Sequence, residues 1–249
     1  MYFLEELEMA RHTLSQGGTI LEWTQAFATS IDELAWFGLL FIFELETWVL
    51  EDDVLQSGVA KVLQAIRLIC YAFLAHTIFA WSTALIDMHE VQVSPEITNV
   101  CELADQDISF SRNLEYTIIT AENCSQFSEE STFFMTDPTV VTDESGFKLD
   151  KQLAWFDLSD AIVWLLVILS IELAVQLQER GITGGRLMFV SHAAKVCYAI
   201  LLLDAAFWGW HGHWLYSWDQ CLWIGGFMAI EMNVSDWREE LREKFSRPA

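Results

Sequence analysis

The stretch LSDAIVWLLVILSIELAVQL, residues 158–177, contains only two charged side chains, Asp160 and Glu172. A helix needs about 20 predominantly apolar residues to cross a hydrocarbon core about 30 Å thick. A protein of 249 residues with five such stretches has too little polar chain to cover them in water, so the sequence predicts an all-α integral membrane protein. The other four stretches are residues 34–50, 62–86, 187–210 and 218–234.

The composition is acidic, with a formal net charge of −23 at pH 7, and the charges are segregated from the apolar stretches. Nucleic-acid binding requires clustered Lys and Arg that neutralise phosphates, so nucleic acid is not an expected partner. Residues 1–11 are acidic and lack the apolar core of a secretory signal peptide.

The apolar stretches divide the chain into a bundle of about five transmembrane helices with polar connections. A sequence repeat, described below, groups the first four helices into two hairpins. The expected segments are an N-terminal amphipathic segment, a first hairpin, an acidic extracytoplasmic loop, a second hairpin, a fifth helix and a cytoplasmic tail. Their bounds are 1–33, 34–86, 87–155, 156–213, 214–237 and 238–249.

The N-terminal segment carries apolar residues on one helical stripe. This stripe predicts either an interfacial helix on the outer membrane surface or an extension of the first transmembrane helix. Its members are Ile20, Trp23, Phe27, Ile31 and Leu34.

The acidic loop contains fourteen Asp and Glu residues but only three Lys and Arg. Two short apolar runs, residues 116–119 and 139–141, predict either a small hairpin or a mobile loop. Cys101 and Cys124 also lie in this loop, and a disulfide between them is expected if the loop faces an oxidising compartment.

The distribution of basic residues predicts the orientation, because Lys and Arg near span ends favour the cytoplasmic side. An N-terminus outside and a C-terminus in the cytoplasm place seven basic residues inside and four outside, which fits a bacterial inner membrane or another plasma membrane. The inner set is Lys61, Arg180, Arg186, Arg238, Arg242, Lys244 and Arg247.

Three apolar stretches share an internal repeat in which a Trp is followed eight residues later by a Glu. The copies are Trp36 with Glu44, Trp164 with Glu172, and Trp223 with Glu231. Arg67 and Lys195 keep the same offset of 128 residues as the first two copies. This pattern predicts two helix hairpins in parallel orientation followed by a half-repeat.

The repeat places charged residues at similar depths inside the membrane. At about 1.5 Å per residue, Glu44, Glu172 and Glu231 lie between the middle and the inner third of their helices. Arg67 and Lys195 reach a similar depth from the inner side, which predicts the pairs Glu44–Arg67 and Glu172–Lys195. Such pairs could simply fix helix register.

Glu46 and Glu231 have no matching base. An unpaired carboxylate inside a membrane either holds a proton, meets a cation or lies in a wet cavity. Glu44, Glu46, Glu172 and Glu231 are therefore the predicted ion- or proton-binding residues.

A second polar group lies near the outer ends of the second and fourth helices. Its residues could bind zinc or copper, which would leave room for a metal-dependent membrane enzyme, or they could anchor helix ends at the membrane interface. Haem between His side chains is a weaker alternative, and no cofactor is required by the sequence. The group consists of Asp87, His89, Asp204, His211 and His213.

The leading functional prediction is a cation or proton channel or transporter, or an ion-conducting subunit, whose acidic loop concentrates cations by electrostatic attraction. The alternative is a non-catalytic structural or accessory subunit of a larger membrane complex. Both predict membrane lipid and either further copies of the chain or other membrane subunits as partners. An enzyme is not expected, because no nucleophile motif, phosphate-binding loop or nucleotide fingerprint is present.

Overall fold

The computed structural model describes residues 2–45, 58–127, 132–180, 182 and 185–229, apart from the side chains of 175, 178, 179 and 186. The described chain is mostly helical and separates into two compact units, Met1–Leu158 and Ser159–Ala249. It also contains a small mixed sheet. The prediction of an all-α protein is wrong in that respect, because residues of the acidic loop form strands.

Long apolar helices support the prediction of a membrane protein. Helices α4 (Gly58–Glu90), α5 (Glu144–Glu179) and α6 (Gly185–Trp210) each contain a stretch long and apolar enough to cross a membrane. Helices α2 (Ile20–Ala26) and α3 (Ala28–Glu44) would count as a fourth span if the bent pair is one broken span. Five spans are not confirmed: of the fifth predicted stretch, 218–229 is helical and 230–234 lies outside the described residues.

The N-terminal segment begins with α1 (Tyr2–Thr13) and then bends sharply between α2 and α3. The bend of 71° excludes a straight extension of the first transmembrane helix through the predicted stripe. Thr19 and Glu22 form a reciprocal capping box at the start of α2. The carboxylate of Glu6, on α1, accepts hydrogen bonds from the Thr29 and Ser30 N–H groups at the start of α3.

Helices α3 and α4 pack as an antiparallel pair. Gln25 Nε2, on the preceding α2, donates to Thr83 Oγ1 of α4 at 2.7 Å, and on α3 a side-chain carbon at Gly38 would lie 2.9 Å from Cys70 Sγ of α4. Later residues of the α2–α3 pair therefore contact earlier residues of α4. Gly38 therefore allows the close backbone approach that is typical of packed membrane helices.

The acidic loop folds into a four-stranded sheet of order β2-β1-β4-β3. Its strands are β1 (Ser109–Arg112), β2 (Glu115–Ile118), β3 (Phe133–Asp137) and β4 (Val140–Asp143). The neighbours β1–β2 and β3–β4 are antiparallel, and β1–β4 is parallel. The two apolar runs predicted as one hairpin fall in β2 and at β4, but each pairs with β1 and not with the other.

The sheet has its own core, built around Phe110, Ile119, Phe133 and Val141. A disulfide joins Cys101 to Cys124 across two 3₁₀ turns, Val100–Leu103 and Cys124–Phe127, which confirms that prediction. The segment is therefore a packed domain and not a mobile loop. We call residues 91–143 the sheet module. It is shorter than the predicted loop, because α4 continues to Glu90 and α5 begins at Glu144.

The second unit contains the end of α5, helix α6 and a helix over residues 214–229. Helix α6 ends in a Schellman turn: the His213 N–H donates to Trp208 O at 3.0 Å and the Gly212 N–H to Gly209 O at 3.2 Å. Gly212 has φ +90, a conformation that favours glycine. The chain therefore reverses tightly into the 214–229 helix.

The repeat architecture is not confirmed, and one substitution within the repeat explains a difference between the copies. At the offset of 128 residues, Gly38 of the first copy corresponds to Leu166 of the second. Gly38 permits the contact with Cys70, whereas Leu166 is exposed. Packing in the second unit instead uses the 214–229 helix, which contacts α5 through Trp164 and Phe227 and α6 near Gly209.

Candidate functional site

Charged side chains on the apolar helices form the candidate site. Glu44 lies at the end of α3 and Glu172 lies on α5, and both are exposed on the single chain. Glu46 and Glu231 lie outside the described residues. The prediction that these glutamates face the interior of a bundle stays a prediction, because a second chain could cover what one chain exposes.

The two basic residues differ in exposure: Arg67 on α4 is half-buried, whereas Lys195 on α6 is exposed. The ion pairs within the described residues are Arg11–Glu8, His12–Glu8 and Arg112–Asp143. The Glu44–Arg67 and Glu172–Lys195 pairs are not among these, so pairing of either kind stays a prediction for the assembled protein.

The surroundings of the exposed charges are apolar. Exposed Leu169 and Leu173 flank Glu172 on α5, and exposed Val196 follows Lys195 on α6. A charged group at membrane depth costs about 2.5–3.5 kcal/mol on insertion scales. Burial within the single chain does not offset that cost for these side chains, since they are exposed.

The predicted metal-site residues are divided between the two units, with Asp204, His211 and His213 in the second. On α4, Asp87 and His89 are exposed, and His89 Nδ1 lies 2.7 Å from Leu85 O. Within the described part of the chain, no group of three His, Cys, Asp or Glu residues could hold a metal ion. The interpretation of this group as a metal or haem site therefore gains no support.

The Schellman turn accounts for the His-x-His pattern. His211 Nδ1 lies 2.9 Å from Phe207 O in the last turn of α6. The ring of His213 instead packs edge-on against Trp208, with ring centroids 5.4 Å apart. The two imidazoles therefore have separate structural environments at the helix end, which agrees with the alternative of end-anchoring residues.

Asp87 lies on the wall of a cavity of about 510 Å³ between the N-terminal helices and the sheet module. Glu22 and Asp137 line the same cavity. Burial raises the pKa of Asp137, and the negative charge of Glu22 raises it further. The negative potential of ionised carboxylates on this wall would attract cations. The predicted role of the acidic loop in concentrating cations stays a prediction.

The sequence interpretation missed an acid that is hydrogen-bonded to Trp36 and an acid that is linked to Trp164 through Gln220. In the first unit, Trp36 Nε1 donates to Asp32 Oδ2 at 3.0 Å. In the second unit, Trp164 Nε1 donates to Gln220 Oε1 at 3.4 Å, and Gln220 Nε2 donates to Asp160 Oδ1. A signal was available, because an Asp stands four residues before each repeated Trp: Asp32, Asp160 and Asp219.

The sheet module is joined to α5 by an acid that sequence reasoning also missed. The buried Asp143 caps α5, where its Oδ1 accepts a hydrogen bond from the Gly146 N–H at 2.7 Å. Its other oxygen, Oδ2, pairs with Arg112 of β1. Arg112 also donates to Ser145 Oγ at 2.7 Å. The start of the membrane helix is thereby fixed to the sheet.

No protein-family model, curated protein or solved structure matches this chain. The features of the chain that bear on function are the exposed charges on the apolar helices and the acids near the repeated tryptophans.

Proposed function

We propose that this protein is a non-catalytic subunit of a larger membrane assembly, and that further copies of the chain cover its intramembrane charges. The observation that carries the proposal is the exposure of Glu172 and Lys195 on apolar helices of a single chain. Glu44 on α3 is exposed in the same way.

Lipid is a poor neighbour for these side chains. Charged residues within spans normally face protein or a water-filled cavity, because hydrocarbon offers no hydrogen-bond partners. Glu172 is five residues, or about 8 Å, from the end of the apolar stretch at residue 177. The shorter Glu side chain reaches the interface less readily than Lys or Arg, which snorkel on longer stems. A protein neighbour therefore fits Glu172 better than lipid.

Self-association is supported by the signs of the charges. The second unit exposes an acid on α5 and a base on α6, so two copies could pair Glu172 of one with Lys195 of the other. Symmetric dimers use the same patch on both chains and require such self-complementarity.

Conduction of cations or protons is the second candidate function. It is favoured by the surplus of acids over bases on the apolar helices and by the acidic cavity beside the sheet module. In this view Glu44 and Glu172 line a pathway that exists only between subunits. The two candidates share an assembly step and differ in whether the assembly conducts.

Both candidate functions fit one membrane orientation, with the N-terminus and the sheet module outside a plasma membrane and the C-terminus in the cytoplasm. Thr139 Oγ1, at the sheet, donates to His12 O of α1 at 2.6 Å, so both lie on one side. The disulfide supports an oxidising compartment for that side.

The assembly proposal is tested by native mass spectrometry of the full chain released from lipid nanodiscs. We expect a multimer for the wild type and a shift toward monomer for Glu172→Leu. The matched control is Leu169→Ala, one turn earlier on α5, which should keep the multimer. A monomeric wild type, or a Glu172→Leu variant that assembles fully, would contradict the proposal. Cation flux into liposomes then distinguishes a conducting assembly from a structural one.

A further inference from the structure

Asp204 on α6 is the most deeply buried of the acids that the structure describes in the second unit, with 3% of its surface exposed. Among the described residues its Oδ2 is buried without any hydrogen-bond partner. Within the same residues no ion pair involves Asp204. Ionisation of this carboxylate is unfavourable, because neither water nor a donor solvates the charge at Oδ2.

The packing of α6 against the 214–229 helix identifies the residue that lies opposite Asp204 in the hairpin. The rings of Trp208 and Tyr216 stack across the hairpin with centroids 5.0 Å apart. Asp204 is four residues, or one helical turn, before Trp208, and Gln220 is one turn after Tyr216. Both are buried, so they lie at the same level on the packed faces of the two helices.

Gln220 also forms hydrogen bonds with residues of a third helix, α5. Its Nε2 donates to Asp160 Oδ1 on α5, and its Oε1 accepts from Trp164 Nε1. The other ionisable groups within a turn of this level are Asp157 and Asp160 on α5 and Tyr216, Asp219 and Cys221 on the 214–229 helix. None of these groups is basic, so no cation within this set neutralises Asp204.

The exposed Trp210, Trp214 and Trp218 mark the membrane interface at the turn, since Trp is enriched at that depth. Asp204 is six residues before Trp210, so it lies about 9 Å along α6 toward the hydrocarbon. Interfacial water at the turn is thus separated from the acid by less than two turns of helix.

We propose that Asp204 is a proton-binding site within the second unit, at the level of the Gln220–Asp160 hydrogen bond. The residue holds a proton as a neutral carboxylic acid and exchanges it with water at the Trp-marked interface. The inference is independent of self-association, because every group it uses belongs to one chain.

Infrared spectroscopy of the full chain in lipid nanodiscs tests the proposal, with the carboxyl carbon of aspartate labelled with ¹³C. We expect the C=O stretch of a protonated aspartic acid at pH values where solvated aspartates are ionised. It should shift in deuterated water, lose intensity in Asp204→Asn and keep its intensity in Asp219→Asn. Asp219 is the matched control, because it precedes Gln220 on the same helix but is half-buried.

Two results would overturn the proposal. One is a wild-type protein without any aspartic C=O band above the pH at which solvated carboxyls ionise. The other is an Asp204→Asn variant that assembles normally and keeps the full band. Absence of the wild-type band overturns the proposal even if Asp204→Asn fails to fold. If that variant does not fold, Asp204→Glu keeps a carboxyl at the site and should still lose the ¹³C-labelled aspartic band; a full band in Asp204→Glu would likewise overturn the proposal.

Discussion

The sheet module and the second unit differ in how fully a single chain provides hydrogen-bond partners for buried polar atoms and covers apolar side chains. In the described part of the module, residues 91–127 and 132–143, no buried side-chain oxygen or nitrogen is without a hydrogen-bond partner. The second unit, in contrast, buries Asp204 without a partner for Oδ2 and exposes large apolar side chains such as Phe189, at 76%, and Trp210, at 87%.

This difference indicates that the module is adapted to water and the helices of the second unit to lipid. The module follows the rules of a water-soluble domain, with a small apolar core, a disulfide and capped elements. The helices of the second unit follow the rules of a membrane domain, where apolar surface faces lipid and charges require protein neighbours. The hydrogen-bonding groups of the described module are satisfied within one chain, whereas the helices expose apolar surface suited to lipid and charges that we propose are covered by further subunits.

Two phenylalanines, one in the module and one on α6, should give the largest difference in stability between the two regions. Phe133 is fully buried in the module, and Phe133→Ala should lower the local free energy of unfolding by about 3–5 kcal/mol. Phe189→Ala on α6 should cost less than about 1 kcal/mol, because the side chain already lies outside the packed face. Amide hydrogen exchange of β4 and of α6 measures both. An equal loss of unfolding free energy at the two positions would contradict this difference between the regions.

The disulfide gives the next effect. Changing Cys101 and Cys124 to Ser should destabilise the module by about 3 kcal/mol, because the bond closes a loop with a sequence separation of 23. The exposed Cys221 is the control, and Cys221→Ser should leave the module unchanged. Hydrogen exchange of β1 with and without reductant measures the effect. A wild type that is insensitive to full reduction would contradict it.

A pair of glycines tests the junction between the module and α5. A side-chain carbon at Gly146 would collide with Thr142 Oγ1, which is held by a hydrogen bond to Ser111 O at 2.8 Å. Gly146→Ala should therefore cost about 1–3 kcal/mol. Gly225 has open space around it, so Gly225→Ala should be neutral or stabilise its helix by up to about 1 kcal/mol. Thermal unfolding of both variants is compared, and a harmless Gly146→Ala would disprove the tight junction.

The smallest effect concerns the pH dependence of the N-terminal helices. Burial raises the pKa of Glu6 above its usual 4.5, although hydrogen bonds from Ser30 and Thr29 partly offset this. As the pH rises above 4.5 the unfolded chain loses this proton first, so the contribution of Glu6 to stability falls.

Replacement by Gln keeps an oxygen that can accept from the α3 N–H groups and removes the titration. Glu6→Gln should therefore abolish that part of the decline in stability with rising pH. Exchange rates of the Thr29 and Ser30 amides across this pH range provide the measurement. An unchanged slope in Glu6→Gln would show that another group causes the decline.

Sequence patterns predicted the membrane helices and the disulfide because both depend on local composition. Residues 62–86 lie within α4, and residues 187–210 lie within α6. The sheet was not predicted, since three of its four strands have only four residues and β4 pairs in parallel with the distant β1. Helix α1 was missed because its sequence is acidic. The burial of Glu6 is explained only by its hydrogen bonds to the start of α3, which the sequence does not show.

The site was predicted in part for similar reasons. The spacing of Trp and Glu identified the charged positions on the apolar helices, but exposure depends on packing that spacing does not encode. Gly38 and Leu166 occupy matching positions of the repeat and give different helix contacts. The partner of Trp164 is Gln220, on a helix 56 residues away, so no local pattern would have found it.

Charge reversal shows whether Glu172 of one chain pairs with Lys195 of another. Glu172→Lys and Lys195→Glu chains, each with a different tag, are expressed alone and together and analysed by native mass spectrometry from nanodiscs. We expect monomers for each variant alone and mixed multimers on co-expression, because each reversed charge meets its complement on the other chain. Multimers of either variant alone, or no mixed species, would contradict it.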